Sequence, residues 1–292
     1  MPEVKDGKEL LQRLEEAHQR LVAEGRKQIN LTDGDATTMF HQNRYPLTSY
    51  NGQIAVEAEK GLIVAATVST KPTDQPAVVE LLEQMEEHLG EKPREVLADS
   101  GFSSYANLTY LEHKGITGYI PDPKQQSLER GTSQHPEFSK SHFRYEEKAD
   151  QYICPEGQPL PYLRRQQDDL GVWCKVYQGS RCSGCSRKSE CTRSKARWVT
   201  RHPQEEALER MRRRLQTPEG KRIYAQRQTL VEPVFGHLKH NLRYRDVLLR
   251  GKAKVTGEFF LMCIGHNLKK IATFFIPPQK HPRNSTNLLI AA

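Results

Sequence analysis

The chain has 292 residues, enough for one large domain with an insertion or for two modest ones. Its 44 Lys+Arg against 36 Asp+Glu leave a net charge of +8, with much of the excess after Arg164, which favours a polyanionic partner. There is no apolar run of roughly 18 residues and no secretory layout at the N-terminus, which argues against a membrane span and predicts a cytoplasmic chain, and six cysteines at this length exclude a disulfide scaffold.

In chain order, Glu9 to Gln28 place Leu10, Leu11, Leu14, Ala17, Leu21 and Val22 at helical spacing, predicting an amphipathic helix that packs or links. Ile29 to Asp35 then read as a short alternating strand ending on an acid. Asp33 is the better candidate and Asp35 is close behind, while the competing reading is an Asp-Gly turn. Two β-rich runs, residues 54–58 and 62–69, flank Glu59-Lys60-Gly61 and predict a hairpin. Val78, Leu81, Leu82, Met85 and Leu89 carry helical periodicity that stops at Gly90.

Val96-Leu97-Ala98-Asp99-Ser100-Gly101-Phe102 is an apolar run that delivers one carboxylate to its end and turns at a glycine. With a helix over 103–113 and a strand over 117–120, the order becomes β-β-β-α-β-α-β. That is the order of an RNase H-like α/β fold, a mixed sheet flanked by helices, with the strand of Asp99 expected beside the strand of Asp33.

From Asp122 to about His202 the helical periodicity vanishes. Cys154, Cys182, Cys185 and Cys191 fall here, with one Cys-x-x-Cys gap that suits tetrahedral zinc, although Cys154 has no partner at that spacing. Incidental reduced thiols are the competing reading, and Cys174 is a fifth candidate. Glu205 to Leu215 form an Arg-rich helix, either a solvated face or a track for phosphates.

Around Glu232, the residues Leu230, Val234, Leu238 and Leu242 predict a helix with one buried face. Glu232, Lys239 and Arg243 take the other face, and Pro233 demands a start or kink at Glu232. Gly257 to Phe274 are apolar enough for a core helix in which Cys263 acts as a buried small hydrophobe. The expected division is therefore 1–28, an N-terminal helix or linker; 29–121, the first part of a catalytic core; and 122–202, a Cys-containing basic insertion subdomain. Residues 203–275 would form the helical second part and 276–292 a flexible tail.

Leu97-Ala98-Asp99-Ser100-Gly101-Phe102, Tyr119-Ile120-Pro121, Val231 to Lys239 and Leu249-Arg250-Gly251 resemble the DDE-type transposases of bacterial insertion sequences. The likeness runs from about Asn30 to Lys270. It implies that Asp33, Asp99 and Glu232 form a catalytic metal site and that Tyr224, Arg227, Lys239 and Arg243 contact DNA. Tyr224, Arg227, Glu232 and Lys239 are similar to a Tyr-Arg-Glu-Lys pattern of one large branch, with the gap from Arg227 to Glu232 one residue longer. Only about thirty residues precede Asp33, so the N-terminal DNA-binding domain usual in this branch is expected to be missing.

Three crowded carboxylates repel unless cations hold them, which points to Mg²⁺ or Mn²⁺. The resemblance makes the substrate DNA, both mobile-element ends and target, and implies at least a homodimer on DNA. A non-catalytic DNA-binding relic and a simple metal-dependent nuclease of the same fold are the competing functions.

Overall fold

A computed structural model describes residues 7–40, 45–123 and 135–275. The expected tail, 276–292, lies outside the described residues, as do parts of the N-terminal segment and of the 122–202 region. The fold is mixed α/β and divides into two compact units, Met1–Pro72 with Gln228–Ala292, and Thr73–Arg227.

The first unit opens with helix α1, Gly7–Ala23, which ends earlier than periodicity predicts. Gly25 takes φ +62°, and the Arg26 N–H returns to the Leu21 carbonyl at 3.0 Å, a left-handed stop. The strand expected over 29–35 is not formed. Asn30 Oδ1 accepts the N–H groups of Thr32 (2.7 Å) and Asp33 (3.2 Å), which takes up donors that a strand ladder needs and folds the segment into a turn. The short strand β1, Thr37–Met39, starts after Asp33 and pairs antiparallel with β2, Leu47–Ser49. The predicted hairpin is present as β3, Asn51–Val56, against β4, Ile63–Ser69. Its turn is organised by the Glu57 carboxylate, which accepts from the N–H groups of Glu59, Lys60 and Leu62.

The second unit begins with α2, Ala77–Leu89, closed at Gly90 (φ +73°) as predicted. Strand β5, Glu95–Leu97, helix α3, Tyr105–His113, and strand β6, Thr117–Tyr119, form a β-α-β unit whose strands are parallel. Strand β5 therefore pairs with β6; the pairing expected with the first strand is not among the ladders of the described residues. Val78, Leu82, Leu108, Leu111 and Ile120 fill this core.

Residues expected to be irregular instead form a five-stranded antiparallel sheet of order β11-β10-β9-β8-β7. Its strands are β7 Arg144–Glu146, β8 Gln151–Ile153, β9 Pro159–Gln167, β10 Trp173–Gln178 and β11 Trp198–Arg201, with a single helical turn, α4 Lys188–Cys191, before the last. Phe143, Tyr152, Leu160, Tyr177 and Val199 make its core. Asp150, held at φ +44° between β7 and β8, accepts from Tyr177 Oη (2.6 Å), Tyr145 Oη (2.7 Å) and Lys175 Nζ (2.9 Å).

Those bonds, that of Tyr177 first, hold the Asp150 carboxyl down at about 2. A depressed carboxyl stabilises the fold above the ordinary aspartate value and loses that contribution as pH falls towards about 2. The gap in urea midpoint between wild type and Asp150→Asn is expected to shrink over that window. A gap that stays constant through it would refute the assignment.

Helix α5, Glu205–Gln216, lays Ala207, Leu208 and Met211 on the β-α-β core. Three of its four arginines are engaged within the fold, while Arg213 is exposed. Arg210 clasps Glu112 at 2.8 and 2.7 Å, Arg212 pairs with buried Asp122, and Arg214 donates to the Gly118 carbonyl at 2.8 Å. Helix α6, Pro218–Leu230, follows and leads the chain back to the first unit.

There, α7, Glu232–Gly236, starts afresh at Glu232 with Pro233 in its first turn, the break that proline predicts. A π-helical turn, His237–Asn241, comes next. The last helix, α8, Lys252–Phe275, packs Val255, Phe259 and Cys263 against Ile63, Ala66 and Val68, together with Val234 and Leu238. Cys263 is a buried hydrophobe as expected, and burial pushes its thiol up to about 12. Among the described residues no helix is long and apolar enough to cross a membrane.

Candidate active site

Asp33 and Glu232 belong to the first unit and Asp99 to the second, and each carboxylate has its own setting. Both oxygens of Asp33 accept from Tyr50 Oη at 2.8 Å, Oδ2 also takes the Gly251 N–H (3.1 Å), and Oδ1 the Asp35 N–H (3.2 Å). All of these donors are neutral. Burial and then the bond to Asp33 push the Tyr50 hydroxyl up, so it remains a donor. Asp35 differs, since it is ion-paired with Arg20 at 2.6 Å and accepts the Lys252 N–H at 2.8 Å; Arg20 and Lys252 hold it below the usual carboxylate range. An acid already bound to a guanidinium is the poorer metal ligand of the two, which favours Asp33.

Gly251 and Lys252 open α8, so both acids sit where the exposed N–H groups of a helix start favour negative charge. Buried Glu258 grips the same loop from the other side, accepting from the N–H groups of Leu248 and Leu249. The helical pattern around Glu258 conceals this role, and the sequence reading passed over it.

Asp99 lies where the apolar run predicts, two residues beyond β5. The Ala98 N–H still extends the ladder to Tyr119, and the Asp99 carboxylate accepts the Gly101 N–H at 2.8 Å. Gly101 is squeezed between two acids. A Cβ there would come within 2.6 Å of Asp74 Oδ2 and 3.0 Å of Asp99 Oδ1. Asp74 thus joins Asp99 at this turn, although its loop context in Thr73-Asp74-Gln75-Pro76 carries no signal of it.

Glu232 is exposed in the first turn of α7. The single helical face expected to carry Glu232, Lys239 and Arg243 is broken. The π-helical turn takes Lys239 out of α register, and Arg243 follows the helix in the left-handed region at φ +58°. Lys239 and Arg243 are exposed, Lys239 beside the Phe235 ring at 5.6 Å. Tyr224 and Arg227 lie half-buried on α6, the guanidinium 5.9 Å from the Tyr224 ring.

Cys154, Cys182, Cys185 and Cys191 line one cavity, whereas Cys174 is buried in β10. A separate trio, His135, Glu137 and Glu190, brings three potential ligand atoms within 4.8 Å of one another. Arg187 already donates to Glu137 and Glu190 at 2.6 Å each, so both carboxylates of this trio are engaged in a salt-bridge network.

Residues 153–272 match the family model described as a transposase DDE domain. Over this segment the chain carries a domain of the DDE-type transposases. The match takes in the four clustered cysteines, Tyr224, Arg227, Glu232, Lys239 and Arg243, while Asp33 and Asp99 precede it. DNA is the substrate that a transposase domain implies, and such enzymes are polynucleotidyl transferases or nucleases that use a divalent metal. Neither the comparison with curated proteins nor that with solved structures gives a match.

Proposed function

We propose that this protein acts as a transposase, cleaving phosphodiester bonds at the ends of a mobile element and transferring the freed strand into target DNA, using Asp33, Asp99 and Glu232 together. The observation that carries the reading is the transposase DDE match running through Glu232 and Lys239, with Asp99 held at the end of a strand upstream of it. The reading takes 29–121 and 203–275 as two parts of an RNase H-like core, with 122–202 as its insertion subdomain, and a homodimer as the form that pairs two DNA ends.

The donor set suits a hard cation. A carboxylate offers about four lone-pair sites, and the one hydrogen bond that Asp99 accepts from Gly101 leaves the others available. Asp33 accepts only from neutral donors, so its negative charge is not cancelled. Asp33, Asp99 and Glu232 would hold Mg²⁺ or Mn²⁺, which supplies activation of the attacking oxygen and stabilisation of the leaving one. Tyr50 and the Gly251 amide fix the orientation of Asp33, and Gly101 fixes that of Asp99, so neither carboxylate has to be ordered when substrate arrives. Lys239 and Arg243, both exposed, would bind backbone phosphates, with Arg227 and Tyr224 further along the strand.

The test is nicking of a supercoiled plasmid by the purified chain with Mg²⁺, with Mn²⁺ and with chelator, followed by strand joining with end-bearing DNA. Metal-dependent nicking with joining supports transposition, and nicking without joining favours a nuclease. Salt-dependent DNA binding by folded, metal-supplied protein that nicks neither plasmid nor end-bearing DNA would overturn the catalytic reading in favour of a DNA-binding relic.

A further inference from the structure

Four of the six cysteines converge from three separate turns of the five-stranded sheet region. Cys154 closes the turn between β8 and β9: the Gly157 N–H returns to its carbonyl at 2.9 Å, Gly157 takes φ +72°, and the Gln158 N–H donates to Cys154 Sγ at 3.3 Å. Cys182 and Cys185 flank a single tight turn after β10, in which the Cys185 N–H returns to the Cys182 carbonyl at 3.3 Å. Cys182 Sγ accepts the Arg197 N–H at 3.4 Å. Cys191 ends α4.

All four line the same cavity, with Phe138 and Leu160 among its walls, and none is in a disulfide. Room for the Cys182 sulfur depends on Gly179, where a Cβ would fall 2.4 Å from Sγ. Four soft ligands around one cavity are the donor set of a tetrahedral thiolate-bound metal. Cys174 and Cys263 are buried in other places and offer no such convergence.

We infer that Cys154, Cys182, Cys185 and Cys191 bind one structural zinc ion, which ties the β8–β9 turn to the segment joining β10 and β11. Four Zn–S bonds of about 2.3 Å bring sulfurs under about 4 Å apart. Among the described residues these sulfurs do not form a group of three within 4.8 Å of one another, so zinc draws the turns inward onto the cavity. The nearby trio of His135, Glu137 and Glu190 is the poorer site for the ion, because Arg187 already bonds both of its carboxylates.

The experiment uses the full chain purified under reducing conditions. It is expected to carry about one zinc per chain, and Co²⁺ exchanged for zinc is expected to give the intense near-ultraviolet thiolate-to-metal band of a tetrahedral sulfur site. Cys154→Ser and Cys182→Ser should each lose most of the metal, whereas Cys174→Ala and Cys263→Ala should keep it. Zinc should also shield four thiols of the wild type from a thiol reagent until chelator is added, a readout that stands even where a serine variant fails to fold. Folded wild type holding under about a tenth of an equivalent after zinc loading, with no cobalt band and no shielded thiols, would overturn the inference. Full metal retention in Cys182→Ser would do the same.

Discussion

Asp99→Ala is expected to lower Mg²⁺-dependent strand cleavage on the order of 10³-fold or more, since a metal contributes several kcal/mol of transition-state stabilisation and each ~1.4 kcal/mol is tenfold in rate. The substitution deletes a carboxylate whose one described hydrogen bond is to the turn it begins, so folding should be little affected. Glu232→Gln should match it in size, because Glu232 is exposed in the first turn of α7 and the amide keeps the shape of the side chain while removing its charge. DNA affinity and its salt dependence should survive in both variants, since phosphate contacts come from cationic side chains. The decisive comparison is cleavage rate against DNA affinity, measured on the same preparations. Cleavage within about threefold of wild type in either variant would remove that residue from the catalytic set.

A second large effect concerns stability. Glu205 is the most deeply buried acid among the described residues, and it accepts from Lys140 Nζ (2.6 Å), Tyr105 Oη (2.8 Å) and the His202 N–H (3.3 Å). Burial pushes this carboxyl up, but Lys140, Tyr105 and the His202 amide outweigh it and hold it below the usual range. The Tyr105 ring stacks on His202 at 3.8 Å, so the ion pair sits where α3 and the start of α5 meet.

Lys140→Ala strands the buried charge, and a loss of about 3 kcal/mol in urea unfolding is expected, the low end of the range for a broken buried pair because Lys140 is partly exposed. Adding Glu205→Gln should recover much of that loss, since the uncompensated charge is then gone. The depressed carboxyl also predicts that wild type loses this contribution as pH falls below the ordinary glutamate value. A loss under about 0.5 kcal/mol in Lys140→Ala, or no recovery in the double variant, would show that Glu205 does not depend on Lys140.

Several features were legible in the residues alone because they depend on local chemistry. Gly90 stops α2, the apolar run ending in Asp99 forms a strand with its acid at the end, Pro233 forces a new helix at Glu232, and Cys263 is buried. The cysteines' crowding in sequence foreshadowed their shared cavity. The DDE likeness was likewise readable from short motifs, and the match over 153–272 agrees with it.

Other features were decided by partners far along the chain. The Asp-Gly turn at Asp33 was readable locally, but the setting of its carboxylate depends on Tyr50 and Gly251, the latter 218 residues away. Strand β9 has almost no buried position after Leu160, so it shows no apolar alternation; its strand state comes from the ladders to β8 and β10. Arg210, Arg212 and Arg214 of α5 are held by Glu112, Asp122 and the Gly118 carbonyl, and Glu205, an ordinary first-turn acid in sequence, is closed over by Lys140. Periodicity reports which face of an element is covered; which charge meets which, and whether an acid is spent on a helix start or left to bind a metal, is settled only when distant segments pack.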